Sequence, residues 1–165
     1  MTPAALTAGV PVDEVPMGEV WNVVEAVWES LLGVWPAPGE PVDVGTDWLS
    51  AVVAVDGDWR GAVALSCPPR TAQHISRTML DLAGDDPDPD ADDVDDAVRE
   101  VANVLGGNVK ALVPGGLILG LPVLSVGRPV VEGRVVDEAH MNWPGHIARI
   151  AVWRSSAGPL TTTTQ

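Results

Sequence analysis

A chain of 165 residues, 46% of them apolar, is of single-domain size and has enough hydrophobic side chains for a real core. Its formal net charge of −14 argues against a polyphosphate partner held through counterion release, so no nucleic acid ligand is expected. No apolar run approaches a membrane span, the first residues lack the pattern of a secretory signal, and the lone Cys67 can make no internal disulfide. A cytoplasmic protein with no membrane partner is the expectation.

Residues 1–14 are rich in Pro, Gly and Ala without periodicity and read as a flexible lead-in. From Met17 to Trp35 the positions Met17, Val20, Val24, Val27, Trp28, Leu31 and Trp35 recur at helical spacing, and Pro36, Pro38 and Gly39 stop the helix. Glu19 and Asn22 lie on its polar side. Leu49–Val55 and Trp59–Cys67 predict a β-hairpin turned through Asp56-Gly57, with Cys67 as a small core residue. Pro68-Pro69 closes that strand, and Thr71–Leu82 predicts a helix with His74 on its surface.

Gly84–Asp93 is an acidic loop broken by prolines, and the charge run continues to Asp95 and Asp96. The glycine and terminal glutamate of a calcium loop are missing at the required offsets, so the aspartates read as solvating charge and no metal site is expected. Asp92 or Asp93 then caps the next helix, where negative charge suits the macrodipole.

That next helix carries the strongest pattern in the chain. Val94, Val98, Val101, Leu105, Val109 and Leu112 form an apolar face. At about 100° per residue, Asp96, Glu100, Asn103, Gly107 and Lys110 fall on a narrow stripe opposite. Gly106-Gly107 could end the helix as a C-cap, yet the apolar phase persists beyond them, which predicts a helix running through both. Glycine inside a helix costs about 1 kcal/mol relative to alanine, so it needs a reason. At Gly107 a missing side chain would let another backbone approach Asn103.

Pro114-Gly115-Gly116 reads as a turn, followed by strands at Leu121–Val126, Val130–Val136 and His146–Trp153. Residues 155–165 read as a disordered tail, leaving a single domain over 15–154. The predicted fold class is α+β: an antiparallel β-sheet with two long helices, Met17–Trp35 and Val94–Leu112, packed on it.

Asp96-x3-Glu100-x2-Asn103, followed by Gly107-Asn108-x-Lys110 and then Leu121-Pro122, resembles the signature of the CheC/CheX phosphatases of bacterial chemotaxis. The order of elements around it is similar to CheX over roughly residues 15 to 153. Glu19-x2-Asn22 is a second such pair, as in the CheC branch of that family. It departs from the pattern, because Val15 stands where Asp or Ser would be, Trp21 is bulky and no helical glycines follow, so Glu19 and Asn22 form only a secondary candidate site. Pro122 comes a few residues earlier than the family's proline, which implies a shortened loop at 114–116.

Asn103 cannot act as a base, but its amide donates and accepts at once, which suits orienting a water. No Ser/His or Cys/His set, P-loop or metal-ligand cluster accompanies Glu100 and Asn103, so a partner would have to supply the phosphoryl group. The resemblance implies such a partner: a CheY-like response regulator phosphorylated on aspartate, which holds its own Mg²⁺ and carries a lysine. In that reading Asn103 orients the attacking water, Glu100 docks to the regulator's lysine, Gly107 gives room and Asp96 adds a polar contact. No cofactor of the chain's own is implied. A homodimer paired near the C-terminal edge of the sheet is also implied. The alternative on the same fold is a non-catalytic module that binds or sequesters a response regulator or switch protein.

Overall fold

The computed structural model describes residues 18–113 and 115–155. The expected lead-in, Met17, Val15, Pro114 and the tail from residue 156 lie outside them, while Ser155 still donates its backbone N–H to the Arg60 carbonyl at 2.9 Å. Helix α1 spans Glu19–Leu32 and buries Val20, Val23, Val24, Val27, Trp28 and Leu32. It ends at Gly33, whose left-handed backbone (φ 67°) lets its N–H reach the Glu29 carbonyl at 3.0 Å. The helix therefore stops before Pro36, and Trp35, expected on its buried face, is 66% exposed.

A two-residue strand β1 (Ala37–Pro38), which the sequence pattern did not reveal, pairs with β6. Strands β2 (Leu49–Asp56) and β3 (Gly61–Cys67) form the expected hairpin. Its turn is held by Arg60 on Asp56 at 2.7 Å, and the guanidinium keeps the Asp56 carboxyl below its ordinary pKa. Trp59 belongs to the turn rather than the strand and is buried there. Burial pushes the Cys67 thiol up to about 12, so it is an inert core group.

Helix α2 (Pro69–Met79) starts two residues earlier than predicted, because Pro69 suits a first helical turn that needs no N–H donor. His74 is not the free surface residue expected: it is half-buried and stacked on His146. Helix α3 spans Ala91–Leu112 and passes through Gly106 and Gly107 without a break. The strand expected at Leu121–Val126 is β5 (Val123–Val126), and a separate two-residue strand β4 (Ile118–Leu119), not anticipated, precedes it; both pair with β2.

Strand β6 covers Arg134–Trp143, displaced from the expected Val130–Val136, and β7 covers His146–Arg154. Asp137, Glu138 and His140 broke the apolar run in the sequence. In the sheet Ala139, Met141 and Trp143 alternate with Glu138, His140 and Asn142 on opposite faces, so the run of charge is one side of a two-sided strand.

Among the described residues, seven strands join one antiparallel sheet in the order β1-β6-β7-β3-β2-β4, with β5 also on β2. Helices α1, α2 and α3 lie on one face: Trp28 of α1 meets Trp143 edge-on at 5.5 Å, and α3 crosses β2 and β3. On the other face, segments 39–48 and 127–129 lie over the strands, with Ser50 bonded to Ser66 at 2.8 Å and to the Gly127 carbonyl at 2.7 Å. The C-terminal strand β7 is interior, flanked by β6 and β3. The edges are β1 and the β4–β5 pair.

Candidate functional site

Helix α3 is fixed at its start, along its underside and in its length. Its N-cap is Asp90, not Asp92 or Asp93, with the Asp90 carboxylate accepting from the Asp93 N–H at 2.8 Å. Asp92 and Asp93 occupy the first turn, where they face the positive end of the helix dipole. Below, Ala97, Val98, Val101, Ala102, Leu105, Gly106 and Val109 are buried. A Cβ built on Gly106 would lie 3.0 Å from Val53 Cγ1 and 3.1 Å from Leu119 Cδ1. Gly106 thus lets the helix sit down on β2 and β4, a role that its sequence neighbours did not disclose. A Cβ on Gly107 would meet nothing within 4 Å. The two glycines therefore serve opposite faces.

The outward stripe is as the helical spacing predicted. Asp96 and Glu100 are exposed, and Asn103, Gly107 and Lys110 are half-buried. Asp96 is engaged by Arg99 at 3.3 Å. Glu100 and Asn103 make no side-chain hydrogen bond or ion pair within the described residues, so both remain available, one helical turn apart. The other candidate pair is different. On α1, Asn22 donates to Glu19 at 3.2 Å, and Trp21 donates to Glu25 at 2.7 Å. Glu19 and Asn22 satisfy each other and do not come into one cluster with Glu100 and Asn103 through any hydrogen bond.

The acidic loop before α3 is organised by Arg77 of α2, which donates to the Asp86 and Ala83 carbonyls and pairs with Asp88 at 2.9 Å. Asp86 in turn accepts from the Ala83 N–H at 2.7 Å. A cavity of about 390 Å³ lies away from this helix, between Pro41–Val44, Arg128 and Pro129 on one side and Glu138, His140, Arg149 and Trp153 on the other. There Arg149 holds Glu138 at 2.8 Å and lowers its pKa. Glu100 and Asn103 line none of it.

The family model described as chemotaxis phosphatase CheX matches residues 49–132, just over half of the chain. The chain belongs to the CheX family. The matched span runs from β2 through β5 and includes all of α3 with its Glu100 and Asn103. The rest of the CheX fold is evident in three dimensions. The chemotaxis protein CheX of Vibrio vulnificus superposes with a TM-score of 0.69 at 19% identity, covering 88% of this chain and 99% of that one. CheX of Desulfovibrio desulfuricans gives 0.67 at 20% identity, covering 83% and 97%. CheX in the CheX–CheY–BeF₃–Mg²⁺ complex of Borrelia burgdorferi gives 0.65 at 18% identity, covering 86% and 99%. A comparison with curated proteins gives no match. No helix among the described residues is long and apolar enough to cross a membrane.

Proposed function

We propose that this protein accelerates hydrolysis of the aspartyl phosphate on a CheY-like response regulator. The observation that carries the reading is the pair Glu100 and Asn103, unpartnered and one turn apart on the outer side of an anchored helix. Membership of the CheX family supports it, as does the likeness in fold to a CheX that is complexed with CheY.

Asn103 would enter the regulator's pocket and hold a water through one accepted and one donated hydrogen bond, in line with the acyl phosphate. Glu100 would pair with the regulator's lysine and fix the approach. Gly107, where even a Cβ would meet nothing within 4 Å, leaves room for the regulator's backbone, and Asp96 borders the contact at the helix start. An acyl phosphate is already reactive, so orienting the water need supply only about 2–4 kcal/mol. Mg²⁺ would stay with the regulator's own carboxylates. Among the described residues no group of three His, Cys, Asp or Glu side chains is placed to hold a metal ion. A homodimer would cover the apolar Ile118, Leu121, Val123, Val126 and Val130, which are exposed at and beside the β4–β5 edge.

The test is phosphate release from a phosphorylated CheY-like regulator with wild type, Glu100→Ala and Asn103→Ala. Asn103→Ala should lower kcat about 100-fold or more, in the range of a lost positioning or general-acid group, with affinity retained. Glu100→Ala should chiefly raise KM. Wild type that binds the regulator without speeding its dephosphorylation would make the protein a sequestering module instead.

A further inference from the structure

Lys110 is the only lysine in a chain that has 23 carboxylate side chains, yet it has no ion-pair partner among the described residues. It is half-buried on the same stripe as Glu100 and Asn103, two turns beyond Asn103 and about 10 Å further along the axis. Charge along this stripe is ordered. Asp92, Asp93, Asp96 and Glu100 occupy its first half, Asn103 and Gly107 are neutral, and Lys110 closes it. The family resemblance implies a partner that presents both a lysine and Mg²⁺-holding carboxylates around its acyl phosphate, so it offers a counter-charge for each end of this stripe.

We propose that Lys110 is a docking residue that meets the acidic rim of the regulator's pocket while Glu100 meets its lysine, so that the two charges set the direction in which the regulator lies along α3. The inference rests on the phosphatase reading above. Two opposite contacts on either side of Asn103 define an orientation, where a single one would allow the regulator to pivot. Each is solvent-accessible, so each contributes to affinity and encounter rate more than to the chemical step. A lysine in the last helical turn also complements the helix dipole, and that role alone would change stability without changing KM.

The experiment compares wild type with Lys110→Gln, Lys110→Arg and Lys110→Glu in phosphate release at low and high salt. It also measures binding of each to the beryllofluoride–Mg²⁺ form of the same regulator. Lys110→Gln should raise KM about fivefold with kcat within about twofold, the scale of one exposed ion pair. Lys110→Arg should restore KM, and Lys110→Glu should raise it further and flatten its salt dependence. A Lys110→Gln protein that shows lower thermal stability but unchanged KM overturns the proposal. If wild type shows no acceleration, the phosphatase reading fails separately. The binding isotherm then decides for Lys110, and equal affinity of wild type and Lys110→Gln overturns it.

Discussion

His74 on α2 and His146 at the start of β7 stack face to face, their ring centroids 3.9 Å apart and their planes 14° from parallel. Trp143 leans on His146 at 5.7 Å, and His146 Nδ1 is buried without a hydrogen-bond partner. Burial lowers both pKa values. Arg77 adds to the effect on His74, and His74 and Arg70 add to it on His146. Because the folded protein binds protons here less readily than the unfolded chain, this contribution to stability is complete above about pH 6.5 and is lost as pH falls through the depressed folded values. Urea unfolding at pH 7, 6 and 5 should show a falling midpoint. His74→Phe keeps a stacked ring without a proton site and should flatten the profile; if it tracks wild type instead, the stack is not the source.

Gly106 and Gly107 should respond in opposite ways to the same added methyl. Gly107→Ala meets open space and replaces the poorest helix former but proline, so it should raise stability by about 0.5–1 kcal/mol. Gly106→Ala pushes against the stiff Val53 side chain, and overpacking of this kind costs about 1–3 kcal/mol, cancelling or exceeding the same gain. Chemical denaturation of the two variants checks this. Equal midpoints would mean that α3 can lift off β2 freely.

The single side-chain cap at Asp90 should be worth about 1 kcal/mol, and Asp90→Ala should lower the unfolding temperature by about 2–4 °C. Asp92→Ala and Asp93→Ala, which remove dipole charge but no cap, should each lose less. A larger loss in either of those would move the cap to it.

The helix bearing Glu100 and Asn103 was legible in the sequence because its apolar phase survives two glycines, and a stripe follows from spacing alone. What was not legible depended on neighbours remote along the chain. The need for Gly106 is set by Val53 and Leu119, and the burial of His74 by His146. The cap was misplaced because several aspartates in a row fit the pattern, and only the backbone course selects Asp90. Strand β6 was displaced because Glu138 and His140 point to the face opposite the helices, where Glu138 accepts from Arg149. The order of strands, which puts β7 in the middle, has no signature in local periodicity at all.

The seat that Gly106 makes for α3 also settles who must bend when two proteins meet. A helix held by β2 beneath and by Asp90 at its tip brings an already ordered backbone to any contact, so only its outer side chains have freedom left to lose. Under the phosphatase reading adaptation would fall to the regulator, and mutations that soften this seat should weaken its recognition without touching any residue at the contact.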